Sequence, residues 1–166
     1  MVSVAESRRD EILRWLDEVK DPEVPVLSIR ELGVLRDVEV SDDGVVVVMT
    51  PTYSGCPAMH AMETEVVQTL ASHGVPNARV RTVYSPAWTT DWMSDEAKAK
   101  LEAYGIAAPD RLESDDLVPL RRRVAVRCPY CQSVNTIMRS EFGSTACKAI
   151  LFCNSCHQPF EQFKAI

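Results

Sequence analysis

Apolar positions at Ile12, Leu13, Leu16 and Val19 recur at helical spacing with charges between them, predicting a helix from about Ala5 to Lys20. Ser7 reads as its N-cap and Asp21-Pro22 as its stop. Val34 to Val40 partly alternates and predicts a half-buried strand. Asp43-Gly44 supplies a tight turn, and the unbroken run Val45–Met49 predicts a central strand. The loop 50–57 then leads into a helix with Pro57 at its first position. Met59, Met62, Val66, Val67 and Leu70 form its apolar stripe, and Gly74 caps its end. Residues 78–84 alternate as a third strand. Ser94 caps a further helix that runs to Tyr104 and stops at Gly105. Residues 106–120 lack periodicity and read as connecting chain. The order α-β-β-α-β-α specifies a small α+β domain with helices packed on one face of a mixed sheet.

Charge divides the 166 residues more sharply than hydrophobicity does. The net charge is −6, but residues 1–120 hold 11 basic and 22 acidic side chains, whereas residues 121–166 hold 7 and 2. Cysteine follows the same division, with Cys56 in the first part and Cys128, Cys131, Cys147, Cys153 and Cys156 in the second. This implies two modules, 1–108 and 123–166, joined by a linker over 109–122. No apolar run approaches a membrane span, and the polar start is unlike a signal peptide. A cytoplasmic protein is expected, with thiols reduced and available for metal or thiol chemistry. The acidic whole-chain charge opposes nucleic-acid binding through Arg121-Arg122-Arg123.

Two C-x2-C pairs, Cys128/Cys131 and Cys153/Cys156, lie 21 residues apart. Each short loop aims two thiolates at one ion, and two loops complete a tetrahedron suited to structural zinc. The same ligands also fit iron or an iron–sulfur cluster. Segments Arg123–Arg127 and Thr136–Arg139 read as the strands of a zinc ribbon. Cys147 is surplus to four ligands, and His157 reads as a bystander. Cys56 stands at or beside a helix N-terminus, which stabilises negative charge, the state in which a thiol ligates or attacks. Trp88 and Trp92 read as closing the core from one edge. Asp21 and Glu23 flank a proline in what reads as a solvated turn.

These residues carry a resemblance. Asp21-Pro22-Glu23-Val24-Pro25, Leu32-Gly33-Val34, Thr50-Pro51-Thr52 and Gly55-Cys56-Pro57 resemble the MIP18 family, formerly a domain of unknown function and linked to iron–sulfur protein maturation. The stretches 85–92, 105–107 and 142–149, with Cys153, Cys156 and Pro159-Phe160, resemble the accessory D-subunit family of the bacterial phenylacetyl-CoA epoxidase, or phenylacetate-CoA oxygenase, system. The resemblance implies a MIP18-like α+β domain followed by a zinc ribbon. It implies a maturation factor in aerobic phenylacetate breakdown, an accessory component rather than a catalyst, with the reductase or di-iron oxygenase subunit as partner. It assigns Cys56, with Cys147 as a second thiol, to reactive or transient iron and cluster handling. Asp21 and Glu23 become the associated acidic motif, and the four paired cysteines the zinc ligands. One thiolate cannot satisfy a cluster, so a homodimer, a partner or an external thiol is required. The alternative expectation is a structural docking subunit of the oxygenase complex.

Overall fold

A computed structural model describes residues 4–109 and 125–165. It forms two compact units that divide between Trp88 and Thr89.

In the first unit, helix α1 spans Val4–Leu16 and buries Ile12 and Leu16 completely. Ser7 lies inside this helix, not at its cap. The helix also ends four residues earlier than the sequence suggested. The amides of Asp17, Glu18 and Val19 bond to carbonyls three residues back, tightening the last turn. Val19 is fully buried, and its carbonyl accepts from Ile29 N–H, so its side chain belongs to the core without being helical. Lys20–Asp21 (β1) then pairs antiparallel with Val24–Ser28 (β2). Two further strands, Leu35–Ser41 (β3) and Gly44–Met49 (β4), form the expected hairpin. Gly44 leaves its tight turn at φ +132°, a conformation costly for any residue with a Cβ.

Helix α2, Ala58–Ser72, crosses over to Arg79–Thr82 (β5), which pairs parallel with β4. A parallel return needs such a crossover. The sheet order is β3-β4-β5, mixed as predicted, with valine-rich β4 at its centre. Helix α1 packs on β3 and α2, and α2 packs on β5 and β1. Met62, Val66 and Leu70 of α2 are buried. Trp88 is buried too, its Nε1–H donating to the Leu32 carbonyl at 3.0 Å.

The second unit opens with a 3-10 turn, Thr90–Trp92, and helix α3, Asp95–Tyr104. Ser94 is the cap the sequence suggested: its hydroxyl accepts from Ala97 N–H at 3.1 Å. Gly105 ends α3 at φ +95°, where a Cβ would lie 2.9 Å from the Tyr130 hydroxyl. Residues 106 and 107, expected to be connecting chain, form strand β6 (Ile106–Ala107) instead. A two-residue strand is too short to show periodicity. The linker expected over 109–122 lies, apart from Pro109, outside the described residues, as do Arg121-Arg122-Arg123.

Three strands follow: Thr136–Ser140 (β7), Lys148–Cys153 (β8) and Pro159–Phe163 (β9). The sheet order is β6-β9-β8-β7, with β6 parallel to β9 and the other pairs antiparallel. Residues 125–127 form no strand. Val126 instead offers its carbonyl to the Thr136 hydroxyl at 2.7 Å as the chain enters the first cysteine loop. Ala107, Cys128, Ala149, Leu151, Cys153 and Phe160 form the small core.

Candidate functional site

The two C-x2-C segments fold as near copies of one another. In each, the carbonyl of the first cysteine accepts from the residue after the second. Gln132 N–H thus reaches Cys128 O, and His157 N–H reaches Cys153 O, each at 2.9 Å. Gln132 and His157 both take left-handed backbone, with φ +62° and +59°. The amides of Cys128 and Cys153 donate to the carbonyls of Ser133 and Gln158, each at 3.0 Å. Asn154 and Asn135 tie the two loops together side chain to side chain at 3.1 Å, and the Ser133 and Ser155 hydroxyls meet at 2.7 Å.

This geometry converges four sulfurs. All four ligand atoms lie within 4.8 Å of one another. Cys128 and Cys156 are 3.7 Å apart, and Cys131 and Cys153 are 3.5 Å apart. A tetrahedron of thiolates about 2.3 Å from a central ion has edges of about 3.8 Å. The sulfurs therefore fit a four-thiolate metal centre. Cys128 and Cys153 are buried, Cys156 is half-buried and Cys131 is exposed. Backbone amides of Cys156 and Ser155 pull the Cys153 thiol down to about 6, whereas burial pushes Cys156 up to about 12. Metal binding must displace the remaining protons. Four protein ligands leave no open position on the ion, which for zinc is the arrangement of a structural site. His157 lies outside the ligand group, its ring tilted against Phe152 with centroids 6.4 Å apart.

Cys147 lies in the loop between β7 and β8, 7% exposed, with its sulfur 3.0 Å from the Thr145 hydroxyl. That loop is held by a pair the sequence did not reveal. Lys148 Nζ, nearly enclosed, meets Glu161 Oε2 at 3.1 Å. The other Glu161 oxygen accepts from Ser144 N–H at 2.8 Å. A Cβ on Gly143 would come within 2.8 Å of that same oxygen. Finding this pair requires the β8–β9 register, in which Ile150 stands opposite Glu161.

Cys56 sits in the first unit, half-buried, in the turn that precedes α2. Gly55 makes that turn at φ +82°, and Cys56 N–H donates to Tyr53 O at 3.3 Å. Pro57 occupies the N-cap, and no side chain caps the helix. The α2 amides thus face the Cys56 turn without a side-chain acceptor at the cap. Thr50, at the start of the loop, buries a hydroxyl with no hydrogen-bond partner among the described residues. Asp21 is buried, not solvated: its Oδ1 accepts from Glu23 N–H at 2.7 Å and from Val24 N–H at 3.1 Å, closing the turn around Pro22. β1, which carries Asp21, packs on α2. Cys56, Asp21 and Glu23 do not converge into a ligand cluster like that of the four cysteines. Among the described residues no helix is long and apolar enough to cross a membrane.

Comparison with known proteins agrees with this division. Residues 9–84 match the family model described as iron–sulfur cluster assembly protein. Residues 114–164 match that described as PaaD zinc beta ribbon domain. The chain is 42% identical over all 166 residues to the D-subunit of the putative 1,2-phenylacetyl-CoA epoxidase of Escherichia coli, covering 98% of that protein. It is 38% identical over 98 residues to an Fe-S protein maturation auxiliary factor of Bacillus subtilis, covering 58% of this chain and 95% of the relative. A solved domain of unknown function, DUF59, from Bacillus anthracis aligns with 58% of this chain and 93% of its own at 30% identity and a TM-score of 0.55. The chain belongs to the MIP18, or DUF59, iron–sulfur cluster assembly family, in the form that carries a C-terminal PaaD zinc ribbon.

Proposed function

We propose that this chain is a cytoplasmic maturation factor of the phenylacetyl-CoA epoxidase system. In this reading it assists iron–sulfur or di-iron assembly in the reductase or oxygenase subunit and is not itself the oxygenase. The observation that carries the proposal is Cys56: a half-buried thiol before a helix N-terminus that has no side-chain cap, in the unit matched by the assembly family and outside the closed four-cysteine centre. The helix end favours a negatively charged ligand there. Iron or a cluster is the cargo, and the remaining ligands come from a partner, a second copy or an external thiol. Asp21 fixes the turn beside β1, and Glu23 is the carboxylate in that turn assigned to the same handling site. Cys147 is enclosed, so its use as the second thiol requires its loop to open.

Zinc is the ion assigned to Cys128, Cys131, Cys153 and Cys156, on the sulfur spacing and the lack of an open ligand position. The ion's part is to hold the two cysteine loops together.

The test is anaerobic purification of wild type and Cys56→Ala, with metal and sulfide analysis, followed by co-expression with the reductase and oxygenase subunits. Zinc in both proteins, iron or sulfide in wild type alone, and an under-loaded client with Cys56→Ala are expected. A fully loaded, active client in that variant would refute cargo handling. The second reading, a structural docking subunit, is favoured by the exposed apolar residues of the ribbon. It expects co-purification at fixed stoichiometry and no loss of activity in Cys56→Ser.

A further inference from the structure

Among the described residues, five of the seven exposed large hydrophobic side chains fall between Tyr130 and Phe142. Ile137 and Met138 of this group lie on β7. β7 is the terminal strand of its sheet: β8 pairs with one side, and among the described residues no strand pairs with the other. Proteins ordinarily blunt such edges with proline, charges, short strands or bulges. β7 has no proline; it has its five-residue length, one charge, Arg139, and a bulge between Met138 and Ser140.

Arg139 is the residue left over in a bulge, since Met138 stands opposite Leu151 and Ser140 opposite Ile150. Its guanidinium rests 5.2 Å from the Phe152 ring centre. The apolar surface continues across the sheet, because Ile137 registers with half-buried Phe152 and Phe152 with exposed Pro159. The following loop is pinned by Glu161 and Lys148, so Phe142 is displayed on a braced support, with Lys164 Nζ 4.9 Å from its ring centre.

Charge selects the occupant. Residues 125–165 carry Arg127, Arg139, Lys148 and Lys164 against Glu141 and Glu161. Lys148 and Glu161 satisfy each other. What remains is Arg127, Arg139 and Lys164 against Glu141. A second copy pairing edge to edge would bring the Arg139 residues of both chains to one seam, and facing like charges destabilise a strand pair. A strand bearing carboxylates would gain instead.

We propose that the edge of β7 left unpaired among the described residues docks an extended segment of a partner protein that carries an apolar residue and a carboxylate two positions apart, on one face of the added strand. The segment adds as a further strand, with its apolar side chain against Ile137 and its carboxylate at Arg139. Main-chain hydrogen bonds supply affinity, and these two side chains supply selectivity. This rests on the maturation reading only in taking the partner from the reductase and oxygenase subunits.

The experiment titrates each purified subunit into the metal-loaded, isotope-labelled full chain and follows amide signals. The expected result is a change centred on Thr136–Ser140, weakened by added salt. Arg139→Glu and Ile137→Lys, checked for unchanged metal content, should each lower affinity at least tenfold. If Ile137→Lys loses its metal, Arg139→Glu decides alone. Affinity within twofold of wild type in Arg139→Glu overturns the proposal. So does a response confined to another surface, no binding of either subunit below about 100 µM, or a wild-type dimer that Ile137→Lys dissociates. A Cys56→Ala protein that still docks through β7 beside a fully loaded client refutes cargo handling and leaves the docking edge standing. The opposite pattern refutes the edge alone.

Discussion

Glu161→Gln tests the bracing of the ribbon. The variant keeps an oxygen for the Ser144 amide, now 2.8 Å from the carboxylate, but removes the charge facing Lys148. The Lys148 side chain is 4% exposed, so its ammonium would be left buried and uncompensated. Breaking a buried pair at one partner costs about 3–5 kcal/mol. Glu161 itself is 27% exposed, which places the expected loss near the lower end, about 3 kcal/mol, or about 150-fold in the opening equilibrium. The assay is metal release from the full chain to an excess of chromogenic chelator, which reports opening of the sheet that holds the cysteine loops. Lys148→Met with Glu161→Gln should recover most of the loss, because the pair is then replaced rather than broken. A loss below about 1 kcal/mol, or a double variant no better than the single, would refute the reasoning. The pH dependence has a defined sign. Burial pushes the Glu161 carboxyl up, but the Ser144 amide and the Lys148 ammonium outweigh it and hold it below its ordinary 4.5. Its contribution is therefore full above that value and disappears as pH falls through the lowered folded value. Wild type should lose this share of its protection under acid, and Glu161→Gln should not.

Two further outcomes follow from the same structure. Cys131→Ser replaces a thiolate ligand and should reduce metal retention sharply, with loss of protection in β7–β9 but not in β3–β5, read by hydrogen exchange before and after chelation. Trp88→Phe keeps most of the buried ring but leaves the Leu32 carbonyl without its 3.0 Å donor. Urea unfolding of the first unit should show a loss of about 1–3 kcal/mol, and an unchanged midpoint would contradict that role for the indole.

The parts of the fold that were legible rest on local rules. The β3–β4 hairpin follows from a turn between valine-rich runs, α2 from its apolar stripe, and the Ser94 cap from its position. The four sulfurs were legible because C-x2-C spacing alone aims paired ligands. What escaped depends on distant partners. α1 stops at Leu16 because Val19 is claimed by Ile29, a bond no helical period encodes. β6 exists only because β9 lies beside it. Gln132 and His157 adopt positive φ without the glycine that usually signals it. Asp21 reads as solvated until its turn is seen folded over its own carboxylate.

The position of β9 has a temporal consequence. Of the four strands in its sheet it is synthesised last, yet it sits between β6 and β8. β6 therefore emerges with no partner and must wait while the whole cysteine region is translated. Only when Phe163 is in place does the strand that joins both halves become available. The first unit, finished at Trp88, faces no such delay. Nascent chains would thus present a completed assembly-family module while the ribbon is still open, with all four cysteines already translated before β9 closes the sheet.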